Sequence, residues 1–435
     1  MKIAILGFGL QGRSVYEFYT SKSNQITICD RYEQDDFPQD VEIQSGDNYL
    51  ARLDRFDLIF RSPSIRPDDI IEANSRSIME KVTTNTNEFM RLCPTKNIIG
   101  ITGTKGKGTT SLLITKMLTA LGKKVHLGGN IGVPPLDLLK ENIQTDDYVV
   151  LELANFQLID FKYGVHIGVC LLVEPEHLDW HSDLDEYYRA KSELFRHQNK
   201  DDIAIYYAKN ENSKRLASTG PARLIPYFES PGALVAGNHI VIDGIPIIRL
   251  NEIKLLGSHN WQNICAAITT IWQIEKNETV LAAVIRDFNG LPYRTEFRKE
   301  IAGVQYFNDS FASAPTATIA AINAIKGNKV LIIGGKDRNL NLDDLIKAIY
   351  DNQENIKKLI IIGEARQRIA EELKKLNLDN FELTDAKSMK EIVALAQKYT
   401  EPDDKVVLSP GFPSFDMFKN FEDRGNQFNT AVSEL

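Results

Sequence analysis

Residues 97–115 read NIIGITGTKGKGTTSLLIT: an apolar strand, a turn holding three glycines and two lysines, and then a stretch of helical character. Backbone amides of such a turn, together with the N-terminus of the helix behind it, converge on phosphate oxygens. Gly103, Thr104, Lys105, Gly106, Lys107, Gly108 and Thr109 are therefore the candidate phosphate-binding residues, with Lys107 reaching the β and γ phosphates. The spacing departs from G-x-x-x-x-G-K-[ST], because Ile101 falls on the first glycine and Gly108 on the magnesium hydroxyl. Thr109 or Thr110 must supply that hydroxyl. A glycine turn without a ligand is the plain alternative, but neighbouring lysines repel each other unless an anion joins them.

Outward from this loop the chain repeats strand, turn and helix. Upstream, KIAILGF, ITICD and FDLIF form one α/β unit, and downstream KKVHLGG, DYVVLEL and HIGVCLL continue a second. Their continuous apolar runs predict parallel strands buried on both faces. Between about Asn210 and Lys254 the pattern turns β-rich, and HIVIDGIPIIRL contains a hairpin turn at Asp243 and Gly244. A third set follows Val304, with KVLIIGG, KKLIIIGE and KVVLSPG. At 435 residues, and roughly 100–200 residues per domain, two to four domains are expected. The reading is an α/β protein of three domains, each a mainly parallel sheet with flanking helices: N-terminal Rossmann-like over 1–93, central P-loop ATPase-like over 94–298, and C-terminal Rossmann-like over 299–435.

The composition bounds the function. An apolar fraction of 43%, with 25% charged residues, describes a soluble globular chain, and no run approaches the ~20 apolar residues of a membrane helix. The opening MKIAILGFGLQGR has no basic n-region and is expected to be a strand, not a signal peptide. A formal charge of -8 gives no general attraction to nucleic acid. Cys29, Cys93, Cys170 and Cys265 are scattered, without metal or disulfide spacing, which points to the cytoplasm.

Three segments near the loop carry groups that a magnesium nucleotide needs: Glu152 at the end of VVLEL, His177 in EPEHLDWH, and Lys191 on the helix beyond. Individually, each also reads as an ordinary solvated or structural residue. GFGLQG, with Gly7, Gly9 and Gly12, matches the dinucleotide fingerprint, and Asp30 lies where a ribose-binding acid is expected. That leaves an NAD-dependent oxidoreductase open, although the same turn can hold the diphosphate of a UDP-linked sugar. Arg338, in IIGGKDRN, pairs with a carboxylate ligand or makes a surface salt bridge.

The ordered set GTKGKGTT, GGNIGVP, LELANFQL, EHLDWH, GSHNWQN, LPYRTEF, NDS, GGKDRN and SPGFPSFDMFKNFEDRG resembles the Mur ligase family over nearly the whole chain, nearest its D-glutamate-adding branch. The resemblance implies a cytoplasmic, monomeric, ATP- and Mg2+-dependent ligase joining D-glutamate to UDP-N-acetylmuramoyl-L-alanine through an acyl phosphate. It implies catalytic roles for Lys107, His177 and Lys191, the last at the position carbamylated in the family, and metal ligation by Glu152, His177, Lys191 and Thr109. Asn260, Asn263, Arg294 and Asp309 correspond to nucleotide contacts. Leu10, Gln11, Asp30, Arg31, Ser62 and Asn130 correspond to contacts of the UDP-linked sugar-peptide, and Ser313, Arg338, Ser414 and Phe421 to those of the amino acid. This chain departs from the family at Lys105 and Gly108, where Asn and Ser are usual, and at Ala154 and Asn155, which replace a serine pair. Phe311 stands for a lysine, and Arg338 stands where some relatives have Lys. A sister ligase for another amino acid or a folate acceptor, and a nucleotide-binding regulator without turnover, are the further alternatives.

Overall fold

The computed structural model describes all residues except Ser21, Ser23, Gln34, Asp35, Leu178, Asp179 and Leu256; the last two residues before Trp180 in EHLDWH thus lie outside the described residues. The chain divides into two compact units, Met1–Glu252 with Ser258–Arg286, and Ile253–Gly257 with Asp287–Leu435.

In the first unit, β1 (Lys2–Leu6), β2 (Gln25–Asp30), β3 (Glu42–Ser45), β4 (Leu58–Arg61) and β5 (Val82–Thr83) form a parallel sheet in the order β3-β2-β1-β4-β5. Residues 3–6 of β1 are buried on both faces, as the apolar run requires. Ile3 and Ile5 pack towards Val15 and Tyr19 of the helix Leu10–Thr20, while Ala4 and Leu6 pack with Leu53 and Ile70. Gly12 is needed for that helix to sit on its strand, since a Cβ there would lie 2.2 Å from the Gly7 carbonyl oxygen.

A second parallel sheet contains β6 (Ile98–Thr102), β7 (Val125–Gly129), β8 (Tyr148–Glu152), β9 (Ile167–Cys170), β10 (Ile203–Tyr207) and β11 (Arg223–Tyr227) in the order β11-β10-β9-β6-β8-β7. The connection after β6 runs to β7 on one side and that after its neighbour β9 runs to β10 on the other, so a crevice opens between their carboxyl ends, where the glycine turn lies. One apolar cluster runs from Ile5 and Phe60 through Phe89 to Leu151 and Leu153, which is why the two sheets share one unit.

The stretch after Asn210 differs from its β-rich reading. It begins with a helix, Glu211–Ala217, because the Asn210 side chain accepts the Ser213 amide at 2.8 Å and caps it, and β11 then extends the central sheet. Only β12 (Leu234–Ala236), β13 (His239–Ile242) and β14 (Ile245–Arg249) form a separate antiparallel sheet, and the expected turn is present at Asp243 and Gly244.

The second unit holds β15 (Glu296–Ile301), β16 (Val304–Asn308), β17 (Lys329–Gly334), β18 (Ile356–Ile362), β19 (Phe381–Leu383) and β20 (Lys405–Leu408) in the order β15-β16-β20-β17-β18-β19. All neighbours are parallel except β15 with β16. Leu331 and Ile333 face Leu345 and Ile369 on one side, and Val330 and Ile332 face Ile392 and Phe428 on the other. The α/β reading with three parallel-strand sheets and flanking helices holds. The four cysteines are buried and unpaired, and among the described residues no helix is long and apolar enough to cross a membrane.

A buried arginine ties the two sheets of the first unit together. Arg61, 1% exposed, donates twice to Asp160 at 2.8 Å and also to the carbonyl oxygens of Ile65 at 2.7 Å and Phe156 at 3.0 Å. Removing one partner of a buried ion pair strands the other charge and typically costs about 3–5 kcal/mol. Arg61→Ala is expected to lower the urea-unfolding free energy of the first unit by about that amount, whereas Arg13→Ala, which removes an exposed ion pair with Asp36, is expected to change it little.

Candidate active site

The glycine turn leaves β6 at Thr102, and the helix Lys107–Ala120 begins directly behind it. Gly106 has a φ of +88°, and a Cβ there would meet the Asn263 Oδ1 atom at 2.2 Å. Only glycine fits. Asn263 in turn donates through Nδ2 to Asn260 Oδ1 at 3.0 Å, so the two asparagines of GSHNWQN sit together against the loop. Thr104 locks the loop to the segment after β9: its amide donates to the Leu172 carbonyl at 2.7 Å, and its Oγ1 lies 3.0 Å from the Glu174 carbonyl and 2.8 Å from the Tyr187 hydroxyl.

Two lysines meet on one carbonyl. Lys107 Nζ donates to Gly103 O at 2.9 Å and to Thr104 O at 3.0 Å, and Lys191 Nζ donates to the same Gly103 O at 2.9 Å. Lys191 comes from the helix Leu184–Arg196, is 1% exposed, and lies 4.8 Å from the Tyr187 ring centroid. Burial, and then the neighbouring charge of Lys107, push its pKa down to about 7. The loop thus combines helix-terminal amides with concentrated positive charge, the chemistry that holds a polyphosphate. Lys105 is exposed and pairs with Glu174 at 3.8 Å. Thr109 is half-buried, whereas Thr110 is sealed at 0% exposure, so Thr109 is the hydroxyl that a ligand can reach.

Glu152 ends β8 beside β6, is 6% exposed, and accepts from Asn130 Nδ2 at 2.9 Å. Asn130 is fixed by its own amide, which donates to the Glu152 carbonyl at 2.8 Å. His177 has a φ of +57° and packs against Phe156, with ring centroids 4.8 Å apart, and its Nε2 lies 3.4 Å from Glu176 Oε2. No three His, Cys, Asp or Glu side chains among the described residues form a metal-holding group. Magnesium on a nucleotide keeps waters and phosphate oxygens and takes only one or two protein carboxylates, so the buried Glu152 carboxylate fits it.

Sequence reasoning missed a second layer here. Glu186 Oε2 lies 2.9 Å from His181 Nδ1, and Asn155 Nδ2 lies 2.7 Å from His181 Nε2. Burial lowers the His181 pKa despite Glu186. A neutral ring suits both contacts, with Nδ1–H donating to Glu186 and Nε2 accepting from Asn155. Asn155, one of the departures from the family pattern, thus anchors the EHLDWH segment.

Of the residues assigned to the UDP-linked substrate, Leu10, Gln11, Asp30, Arg31 and Ser62 gather at the carboxyl ends of β1, β2 and β4, whereas Asn130 follows β7 and bonds to Glu152. Leu10 and Gln11 open the first helix, Asp30 Oδ2 accepts the Phe8 amide at 2.8 Å, and Ser62 Oγ donates to the Gly7 carbonyl at 2.9 Å. Arg31 follows β2, its guanidinium 5.7 Å from the Tyr49 ring centroid.

In the second unit, Asp309 follows β16. Its Oδ1 accepts the Thr295 amide at 2.8 Å and its Oδ2 accepts from Ser409 Oγ at 2.6 Å, yet burial raises its pKa to about 6. Arg294 stacks on Phe311, its guanidinium carbon 3.9 Å from the ring centroid. Ser313 and Arg338 are exposed, Ser414 is buried, and Phe421 opens the last helix. Arg424 organises this region and went unassigned from sequence. Fully buried, it donates to Ser310 O at 2.8 Å, Ser310 Oγ at 3.0 Å and Phe412 O at 3.0 Å, and burial lowers its pKa to about 10.

Residues 101–271 match the Mur ligase middle domain, and residues 293–412 match the family described as Mur ligase, glutamate ligase domain. The UDP-N-acetylmuramoylalanine-D-glutamate ligase of Clostridium tetani is 34% identical over 449 residues, covering 100% of this chain and 97% of that protein. Its namesake in Clostridium acetobutylicum is 34% identical over 452 residues, with 100% and 96% covered. Among solved structures, the UDP-N-acetylmuramate-alanine ligase of Thermotoga maritima shares the fold with a TM-score of 0.60 at 15% identity, covering 100% of this chain and 99% of that one.

The buried Lys191 makes stability depend on pH. Its folded pKa of about 7 lies below the ~10.4 of an unfolded lysine, so between these values the unfolded chain holds the extra proton. Stability therefore gains from this group as pH rises from about 7 towards 10. Chemical denaturation across that range, with Lys191 kept as the free amine by excluding carbon dioxide, is expected to show the gain in the wild type and its loss in Lys191→Met.

Proposed function

Because the chain belongs to the Mur ligase family, we propose that it is the ATP-dependent ligase that joins D-glutamate to UDP-N-acetylmuramoyl-L-alanine in peptidoglycan precursor synthesis. The observation that carries this reading is the meeting of Lys107 and the near-neutral Lys191 on the Gly103 carbonyl, beside the buried Glu152. It acts as a cytoplasmic monomer, with no nucleic-acid partner. Roles divide along the chain: residues 1–93 bind the UDP-linked substrate, 94–298 bind ATP, and 299–435 receive the amino acid.

The alanyl carboxylate attacks the γ-phosphorus of ATP, forming an acyl phosphate and releasing ADP. The D-glutamate amine then attacks the acyl carbon, phosphate leaves, and the nitrogen loses its proton. Lys107 and the amides of Gly103 to Thr109 hold the phosphates and offset the charge that moves with the transferred group. Asn260, Asn263, Arg294 and Asp309 seat the rest of the nucleotide. Lys191, buried with a lowered pKa, presents a neutral amine whose nitrogen adds to carbon dioxide and gives up one proton, leaving an anionic carbamate as oxygen donor. Magnesium, when bound, neutralises phosphate charge, and Glu152, His177, the Lys191 carbamate and Thr109 are the groups assigned to hold it. Leu10, Gln11, Asp30, Arg31, Ser62 and Asn130 orient the UDP-linked substrate. Ser313, Arg338, Ser414 and Phe421 orient D-glutamate, Arg338 offering a planar fork to a carboxylate.

Phosphate release measured with UDP-N-acetylmuramoyl-L-alanine and a panel of D- and L-amino acids is expected to require ATP and D-glutamate. Lys107→Ala is expected to slow it about a hundredfold or more, as losing one charge-stabilising donor does elsewhere. Full amide formation by Lys107→Ala contradicts the mechanism, and turnover with a different amino acid alone retains a ligase but removes the D-glutamate assignment.

A further inference from the structure

Arg294 is flanked by two residues in the left-handed region, Tyr293 with a φ of +61° and Thr295 with a φ of +48°. Non-glycine residues persist there only where their surroundings over-determine them. Here they do. The Tyr293 amide donates to Glu296 Oε2 at 3.0 Å, its carbonyl accepts the Phe311 amide at 2.9 Å, and its hydroxyl donates to Asn426 Oδ1 at 2.7 Å. The Thr295 amide is held by Asp309 Oδ1 at 2.8 Å.

This doubly kinked turn lays the Arg294 guanidinium over the Phe311 ring, 3.9 Å from carbon to centroid. Phe311 is 41% exposed, and its ring meets Phe421 edge-on, centroids 5.0 Å apart and planes at 85°. A guanidinium on an aromatic face is held by its π surface, while its N–H groups point outward in its own plane. Phenylalanine accepts no conventional hydrogen bond from them, so it orients the group without competing for its donors.

We propose that Phe311 is a positioning residue of the ligase reaction: its ring holds the Arg294 guanidinium in the orientation in which it contacts the nucleotide. The proposal rests on the reading of Arg294 as a nucleotide contact. Phe421, reaching the same ring from the side assigned to the amino acid, keeps the Phe311 plane upright.

Steady-state kinetics of the full chain test this. Phe311→Leu keeps an apolar contact but removes the aromatic face. It is expected to raise the KM for ATP about three- to tenfold, with the KM for UDP-N-acetylmuramoyl-L-alanine and the melting temperature unchanged. Phe311→Tyr, which restores the face, is expected to return the KM for ATP to within about twofold of wild type. In an Arg294→Ala background, Phe311→Leu is expected to add nothing. A wild-type KM for ATP in Phe311→Leu, or a defect that adds in full to that of Arg294→Ala, overturns the positioning role and leaves the ligase reading standing. An unchanged KM for ATP in Arg294→Ala overturns the nucleotide contact and the proposal together.

Discussion

The carbonyl oxygen of Gly103 is the point on which the rest of the site depends. It accepts hydrogen bonds from both Lys107 and Lys191, drawing together two cations that are neighbours in space but not in sequence. One carbonyl dipole does not balance two ammonium groups. Burial, and then the charge of Lys107, lower the Lys191 pKa to about 7, and the positive potential of Lys107 falls where helix-terminal amides already point. Such a place suits a polyphosphate. Everything nearby serves to hold that carbonyl still: Thr104 bonded to Tyr187 and to the segment after β9, Gly106 pressed on Asn263, and β6 gripped by parallel neighbours on both sides.

Two buried arginines repeat this logic at the ends of the other sheets. Arg61 gathers the carbonyls of Ile65 and Phe156 beside the first sheet, and Arg424 gathers those of Ser310 and Phe412 in the second unit. Loop carbonyls that would otherwise be buried without a partner are expensive, and a guanidinium satisfies several at once from one fixed plane. Loops built this way are preorganised by a few donors, which suits a reaction that depends on position and charge.

Much of the fold was legible because parallel strands buried on both faces are continuous apolar runs: IAIL in β1, IIGIT in β6, VVLE in β8, VLIIG in β17. Strands β3, β5 and β19 were not, being short and partly exposed, so that EIQS or FEL carries no periodic signal. The helix Glu211–Ala217 was missed because a single capping asparagine, and not a long amphipathic pattern, starts it. Of the site, the glycine loop could be read directly. The residues that complete it come from far along the chain: Lys191 could be named from sequence, but its contact with Gly103 spans 88 positions and no spacing shows it. Arg424, inside the charged string FEDRG, looks like a surface residue until its helix is seen to bury it. Phe311 was noticed only as a missing lysine, since stacking on Arg294 is a tertiary contact.

The central claim is that the glycine-built turn after β6 is the place where ATP phosphates bind. The most direct measurement is calorimetric titration of a non-hydrolysable ATP analogue with magnesium into wild-type protein and into Gly106→Ala, whose added Cβ collides with Asn263 and whose φ of +88° disfavours alanine. The result predicted is loss of measurable binding in Gly106→Ala, with the cooperative unfolding of the protein retained. Binding of the analogue to Gly106→Ala with wild-type affinity would contradict it.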